Sequence, residues 1–175
     1  MRHALLASVA AGAFFAPVPL GAAEPPDYAG TFVVDDPAQR DAALAAAVEA
    51  GAEQYPKLVR GIVRGRLEEV VKASEWFEFQ PGAGTMTIRT DANTSGWTTD
   101  LAGSETAVEG ADGKETKLAR WMEGGSLRAR GCRALGCSHF AFVLSADQQI
   151  MTLTVRTESE KLDEPLEYAV RYRRK

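Results

Sequence analysis

The chain has 175 residues, a formal net charge of −4 at pH 7, two cysteines and two histidines. A chain of this length buries enough surface for one well-packed domain. Its acidic balance argues against general nucleic-acid binding, and it has too few cysteine and histidine side chains for a zinc site. The composition therefore predicts no metal, no other cofactor and no nucleic-acid partner.

The first 23 residues have the pattern of a secretory signal peptide. A short basic start precedes an apolar run over 4–20, and small residues at 21–23 are suitable for cleavage. Pro17 and Pro19 lie inside the apolar run and disfavour a membrane-spanning helix. We expect residues 24–175 to form one exported domain, periplasmic or secreted, without stable membrane insertion.

Cys132 and Cys137 are the two cysteines, and both lie in the segment GCRALGC. An oxidising compartment favours a disulfide between them that pinches a hairpin. In the chain-entropy model, closing so short a loop stabilises the fold by about 2 kcal/mol. A redox-active pair is the alternative.

Helical signals follow a short predicted strand, GTFVV at 30–34. Asp36 is placed to cap a helix with Pro37 at its first position, and Gly51 is the predicted end of that helix. A second helix is predicted from about 54 to 73, so that the helical segment covers 37–73. One apolar stripe at three- and four-residue steps predicts its buried face: Tyr55, Leu58, Val59, Ile62, Val63, Leu67 and Val70.

From residue 75 onward the apolar period changes to two, which is typical of β-strands. Eight segments alternate in this way: EWFEFQ, TMTIRT, SGWTTDL, KLARWM, SLRAR, SHFAFVLS, QIMTLTVRT and EYAVRYRR. Turn signals such as Gly124-Gly125 separate them. Eight to ten short strands without an intervening helix predict a mainly β protein. We expect an antiparallel up-and-down β-barrel, because closure removes exposed sheet edges.

The order of these elements resembles the fatty-acid-binding branch of the calycin barrels, which are relatives of the lipocalins. FEFQPGAGTMTIRT at 77–90 resembles the second and third strands of that family, and YAVRYRRK at 168–175 resembles its closing strand. DGKETKLARWMEGGSLRARG at 112–131 resembles one of its hairpins. The resemblance implies a small apolar ligand inside the barrel beneath a two-helix lid. A lipocalin-like barrel with its own helical insert is a competing description.

The resemblance also implies two internal arginines that hold a fatty carboxylate, one of them two positions before the tyrosine of the closing strand. Here that tyrosine is Tyr172 and the position holds Val170, while Arg171 is on the opposite face of the strand. The second arginine of the family has no counterpart on the strand HFAFVL. The arginine pair of the family is therefore absent from this chain.

Aromatic side chains on the alternating strands are the candidates for lining a cavity. The candidates are Trp97, Trp121, Phe140, Phe142, Tyr168 and Tyr172. Ordinary core packing is the alternative for each of them, since sequence alone does not say which face of a strand is inside.

Five arginines are placed in the middle of predicted strands: Arg89, Arg120, Arg128, Arg130 and Arg156. Most such arginines lie on the solvated outer face, but one that faces inward offers planar donors to a carboxylate or phosphate. Arg120 is the first candidate, because its face includes the apolar Leu118 and Met122.

These patterns favour an exported protein that sequesters or carries a hydrophobic, lipid-like molecule in its barrel. The alternative is a protein-interaction or inhibitor barrel without a small ligand, whose partner the sequence does not identify. An enzyme is disfavoured, because His139 is an isolated histidine on a strand and no nucleophile elbow or paired acids are present. We therefore predict no catalytic residues.

Overall fold

The computed structural model describes residues 26–110 and 113–175, and the predicted signal peptide at 1–23 lies outside them. Ten strands and two helices follow one another along the chain: β1 (Gly30–Val34), α1 (Pro37–Glu53), α2 (Arg60–Val70), β2 (Trp76–Pro81), β3 (Thr85–Thr90), β4 (Trp97–Asp100), β5 (Thr106–Glu109), β6 (Glu115–Glu123), β7 (Ser126–Arg133), β8 (Gly136–Leu144), β9 (Ile150–Ser159) and β10 (Leu166–Arg174).

All ten strands belong to one antiparallel sheet with the order β4-β3-β2-β1-β10-β9-β8-β7-β6-β5. Strands that are neighbours in sequence pair with each other, except β4 with β5, and β1 also pairs with β10. This up-and-down sheet curls into a nearly closed barrel, with the two helices after the first strand. The predicted fold class and the position of the helices are confirmed.

Closure is incomplete between β4 and β5, which are the two ends of the sheet order and do not pair with each other. Near this gap the chain crosses directly to β6, where Ala102 bridges to Trp121 and the Gly103 N–H donates to the Arg120 carbonyl over 2.9 Å. Strand β5 is missing from the sequence-based series because it has only four residues and no large alternating side chains.

Alternation along the strands produces a packed aromatic core on the inner face. Phe77 lies edge-on to Phe142 and Tyr172, with ring centroids 5.6 and 5.1 Å apart. Phe79 lies edge-on to Phe32 and Phe142 in the same cluster. These aromatic residues fill part of the barrel interior, and the part beside the connection from α2 to β2 stays open.

Helix α1 starts where the sequence predicts, since the Asp36 carboxylate accepts from the N–H groups of Ala38 (2.9 Å) and Gln39 (3.1 Å). It continues two residues past the predicted end at Gly51 and ends at Glu53. Gly51 is a packing position, because a Cβ there would lie 2.7 Å from the side chains of both Leu67 and Leu166. The glycine therefore brings α1 close to α2 and β10.

Helix α2 is shorter than predicted and buries a narrower stripe. It spans Arg60–Val70, and within it Leu67 is the buried residue. Four members of the predicted buried stripe are exposed instead: Leu58 (95%), Val59 (36%), Ile62 (70%) and Val70 (72%). The prediction fails because α2 packs mainly against α1, so that it has one neighbour to cover it where the pattern required a broad buried face.

The Cys132–Cys137 disulfide is formed, with the two residues directly paired across β7 and β8 at a Cα–Cα distance of 4.1 Å. The strands run through the segment that the sequence suggested as a loop, and only Ala134 and Leu135 remain as the turn. No helix in the described part of the chain is long and apolar enough to cross a membrane.

Candidate functional site

A cavity of about 230 Å³ lies inside the barrel next to the connection between α2 and β2, and we call it the inner chamber. Its walls are mostly apolar side chains from the inner faces of five strands, β2, β3, β6, β8 and β9. These side chains are Phe77, Ile88, Leu118, Phe140, Phe142, Leu153 and Val155. An apolar chamber with a few polar groups is the usual form of a small-molecule site.

A second cavity of about 530 Å³, the outer chamber, adjoins the inner one. Trp97, Leu118 and Phe140 line both chambers and therefore stand between them. The rim of the outer chamber includes Val70 of α2 and Leu135 of the β7–β8 turn, which are both exposed. We call this exposed rim the mouth.

Arg120 is the buried cation of the inner chamber, with only 3% of its surface exposed. Its Nη1 donates to the carbonyls of Trp97 (2.7 Å) and Met86 (2.9 Å), and so links β6 to β4 and β3 across the incompletely closed side of the barrel. Its Nε has no hydrogen-bond partner among the described residues. Burial removes the guanidinium from water and lowers the pKa of Arg120 to about 10.

No aspartate or glutamate of the described residues lines the inner chamber, so the guanidinium of Arg120 has no counter-ion there. Lys72 is a second cation on the chamber wall. The Asn93 side chain also faces the chamber, and its Nδ2 is buried without a partner, whereas its Oδ1 accepts from the Gly96 N–H (3.1 Å). The chamber thus offers unpaired donors and positive charge.

Trp97 lies beside the gap between β4 and β5. Its indole Nε1 donates to the Glu109 carbonyl over 3.1 Å, which joins the two unpaired strands through a side chain. Trp97, which the sequence suggested for a cavity wall, lines both chambers. One hydrogen bond holds the indole between the two chambers.

Two tyrosines of β10 tie the closing strand to the segment after α2. The Tyr168 hydroxyl donates to the Lys72 carbonyl and the Tyr172 hydroxyl donates to the Ser74 carbonyl, each over 2.9 Å. Burial raises the pKa of Tyr168 to about 12, and burial also raises the pKa of Tyr172, with a smaller contribution from Tyr168. Tyr168 lines the inner chamber, but Tyr172 is fully buried in the aromatic core and does not.

The structure separates the seven residues expected to contact a ligand into two groups. Five of them line the inner chamber: Trp97, Arg120, Phe140, Phe142 and Tyr168. Tyr172 packs in the core, and Trp121 lies on the outer face of β6 because neighbours along a strand point to opposite sides. Arg120 and Trp121 could never both have been inside.

Sequence reasoning missed Asn93 as a residue of the site. The side chain reaches the chamber because Gly96, with φ of +79°, lets the β3–β4 turn fold back on the Asn93 carboxamide. The family position two before the closing-strand tyrosine is apolar in space as well as in sequence, since Val170 is buried on the inner face. Arg171 points outward and pairs with Asp35.

The outer surface of the barrel carries the remaining strand arginines in ion pairs. Arg128 pairs with Glu123, and Arg156 pairs with Glu158 at 3.2 Å. His139 is on this outer face, 4.0 Å from the Glu158 carboxylate. Within residues 26–110 and 113–175, no group of three His, Cys, Asp or Glu side chains is close enough to hold a metal ion.

No protein-family model and no curated protein matches this chain. Solved structures do resemble it. One is a fatty-acid-binding protein from the brain of Drosophila melanogaster, at 14% identity and a TM-score of 0.51 over 84% of this chain and 99% of that one.

Two further structures resemble the chain at a similar level. A Schistosoma mansoni fatty-acid-binding protein in complex with arachidonic acid matches at 13% identity and a TM-score of 0.51, over 85% of this chain and 96% of that one. The fluorescent protein UnaG matches at 14% identity and a TM-score of 0.53, over 85% and 97% of the two chains. The chain therefore has a calycin fold of the fatty-acid-binding-protein type.

Proposed function

We propose that this protein binds a hydrophobic small molecule with an anionic head group inside its barrel. The observation that carries the proposal is Arg120, a buried guanidinium without a counter-ion in a mostly apolar chamber. A buried charge is costly unless it is paired. A carboxylate or similar oxyanion from a ligand would supply the missing partner.

The chamber walls suit the apolar part of such a molecule. Trp97, Phe140, Phe142 and Tyr168 are proposed to contact its apolar part, while the unpaired Nε of Arg120 and the Nδ2 of Asn93 donate to its head group. Charge-assisted hydrogen bonds are stronger and shorter than neutral ones, particularly away from water. Trp121 and Tyr172 are left out of the proposed site because of where they lie.

The similar structures include proteins whose names describe fatty-acid binding or transport. This likeness supports a binding protein over an enzyme. The anchor differs from the arginine pair that the family resemblance implies, because here it is on β6 beside the incomplete closure of the barrel. We infer that the ligand is held from a different wall of the barrel.

The test compares hexadecanoate with hexadecanol by displacement of a fluorescent fatty-acid probe. We expect wild-type protein to bind hexadecanoate at least tenfold more tightly than hexadecanol. Arg120→Met should lose this preference, because the methionine keeps much of the volume and removes the charge. Truncating one side of a buried charge pair typically costs 2–5 kcal/mol, or about thirtyfold or more in affinity.

Arg128→Met is the matched control, since Arg128 lies on the neighbouring strand β7, on the outer surface of the barrel, and pairs with Glu123. It should bind both compounds as wild type does. Retained hexadecanol binding in Arg120→Met shows that the barrel is intact. Absence of saturable binding of either compound to the wild type would refute the proposed function, whereas equal affinity for both would refute only the anionic head group.

We also propose that the protein is exported. The pattern of residues 1–23 supports this, and so does the Cys132–Cys137 disulfide, because disulfides persist in oxidising compartments. Expression of the full chain in a bacterium, followed by fractionation and N-terminal sequencing, tests the proposal. The expected product is a periplasmic or secreted chain that begins near residue 24, and an uncleaved cytoplasmic chain would contradict it.

A further inference from the structure

A groove of about 370 Å³ lies on the outer face of strands β6 to β10, and we call it the lateral groove. Ala141 lines this groove while its neighbour Phe142 lines the inner chamber, and Thr154 and Val155 divide in the same way. The sheet therefore separates the groove from the inner chamber. Its volume lies in the range of small-molecule sites, roughly 300–1,000 Å³.

One row of side chains across the sheet gives the groove its shape. Ala141 and Thr154 are directly paired across β8 and β9. Arg128 of β7 is the partner of Ala141 on the other side, and Trp121 of β6 is the partner of Arg128. Because side chains stand roughly perpendicular to a sheet, the small Ala141 and Thr154 form a floor and the larger Trp121 and Arg128 form a wall.

Trp121 presents an aromatic surface that no other side chain covers by stacking. The residue is half-buried on the outer face of β6. No ring or guanidinium of the described residues stacks on its indole, and the indole N–H forms no hydrogen bond with them. The ring and the N–H are therefore both available to a ligand in the groove.

The charged side chains of the lateral groove balance one another. Arg128 is 3.4 Å from the Glu123 carboxylate, and Arg156 is 3.5 Å from the Glu167 carboxylate. These two cations and two anions leave no net charge when His139 is counted as neutral. A charged ligand would find no excess of the opposite charge, so the groove favours a neutral one.

The paired charges keep hydrogen-bonding capacity for such a ligand. Arg128 contacts Glu123 through its Nε, so that its two Nη nitrogens have no partner among the described residues, and 36% of the side chain is exposed. The Glu123 carboxylate is 66% exposed and accepts hydrogen bonds. Thr154 adds a hydroxyl that both donates and accepts. Donors beside acceptors match neighbouring hydroxyl groups on one molecule.

We propose that the lateral groove binds a neutral saccharide, with a sugar ring stacked on Trp121 and the sugar hydroxyls bonded to Arg128 and Thr154. A pyranose ring has an apolar face of C–H bonds, which the negative face of an indole attracts, and hydroxyls at its rim. A lipid would leave the polar groups of the groove without partners. A peptide strand would find no free sheet edge, because each of strands β6 to β10 is paired on both sides.

Titrations of the full chain followed by saturation-transfer-difference NMR test this inference, with three neutral trisaccharides as probes: cellotriose, maltotriose and tri-N-acetylchitotriose. We expect at least one of them to bind, with a Kd that added salt does not change, because no net charge is involved. Inorganic pyrophosphate, the anionic probe, should not displace the sugar. Trp121→Ala and Arg128→Met should each lower the affinity by about tenfold or more, through the lost stacking surface and the lost charged donor.

Trp76→Ala is the matched control, since Trp76 is also half-buried on the outer face of a strand, β2, but lies outside the groove. It should bind the sugar as wild type does. A cooperative thermal unfolding transition shows that each variant is folded. No binding of the three sugars to wild type, or displacement of a bound sugar by pyrophosphate, would overturn the inference. Unchanged binding in folded Trp121→Ala or Arg128→Met, or an equal loss in Trp76→Ala, would also overturn it.

The lateral groove is separable from the proposed function. The sugar should leave the fluorescent fatty-acid probe in place, because the two sites lie on opposite faces of the sheet. Displacement of that probe by the sugar would place the sugar in the inner chamber and overturn the inference. Sugar binding is expected whether or not wild-type protein binds hexadecanoate, so that failure of one proposal leaves the other standing.

Discussion

Arg120 and Tyr168 line one chamber, and burial there moves their pKa values in directions that have opposite effects on stability above pH 10. The pKa of Tyr168 rises to about 12, so unfolded protein releases that proton first and stability is lost as the pH rises from 10 to 12. The pKa of Arg120 falls to about 10, so folded protein releases that proton first and stability is gained over the same window. In the wild type the two effects partly cancel.

Single substitutions should separate the two contributions. In Tyr168→Phe the gain in stability that comes from Arg120 is no longer opposed by Tyr168. As the pH rises from 10 to 12, the unfolding free energy of this variant should therefore increase relative to that of wild type. In Arg120→Met the loss of stability that comes from Tyr168 is no longer offset. The unfolding free energy should therefore fall more steeply with pH than in wild type. Urea unfolding at a series of pH values measures both slopes, and parallel curves for the three proteins would contradict the assignment.

Among the helices and strands, the contact of α1 with α2 and β10 depends on Gly51. Its backbone lies so close to Leu67 and Leu166 that a Cβ would come within 2.7 Å of both side chains. Gly65 in α2, by comparison, has nothing within 4 Å of the same added atom. Close packing therefore explains the glycine at position 51 but not the glycine at position 65.

Alanine at the two positions should have opposite effects. Gly65→Ala is expected to stabilise the protein by about 0.5–1 kcal/mol, because alanine loses less backbone entropy in a helix. Gly51→Ala gains the same entropy but overpacks two buried leucines, which typically costs 1–3 kcal/mol, so that we expect a net loss of about 1 kcal/mol. Thermal or urea unfolding measures both, and stabilisation of Gly51→Ala equal to that of Gly65→Ala would show that the contact adapts freely.

The same elements show how far the sequence could be interpreted. Period-two alternation and turn residues were sufficient for nine of the strands, because those signals are local. Strand β5 and the gap beside it were not predictable, since they depend on how the curled sheet meets itself. The failure at α2 has the same cause: apolar spacing predicts a stripe, but the exposure of Leu58 and Ile62 depends on what packs against the helix.

For the molecule as a whole, the site depends on which face of each strand is inside. Arg120 could be singled out because its neighbours at two-residue spacing are apolar, and the structure places it in the chamber. Because neighbours along a strand point to opposite faces, alternation alone shows that Arg120 and Trp121 cannot both face the interior. Asn93 carried no such signal, because its position follows from a turn. The absence of acidic groups around Arg120 is visible only once the strands that line the chamber have come together.

The barrel, its lid and its incomplete closure fit one account. In the proposed function, an apolar molecule enters at the mouth between Val70 and Leu135, its apolar part packs against the aromatic wall, and its oxyanion pairs with Arg120. The hydrogen bonds of Arg120 to Trp97 and Met86 place the anchor where the sheet is least closed. Ligand binding should therefore stabilise the folded barrel, by about 2.7 kcal/mol at a free ligand concentration of 100 times Kd.

A crystal structure of the protein with an ω-bromo fatty acid tests the central claim most directly. Anomalous scattering locates the bromine, and the electron density locates the head group. The account predicts a bromine peak inside the barrel and a carboxylate within hydrogen-bonding distance of the Arg120 guanidinium. A bromine peak on the outer surface, or a carboxylate in the barrel that is not bonded to Arg120, would contradict it.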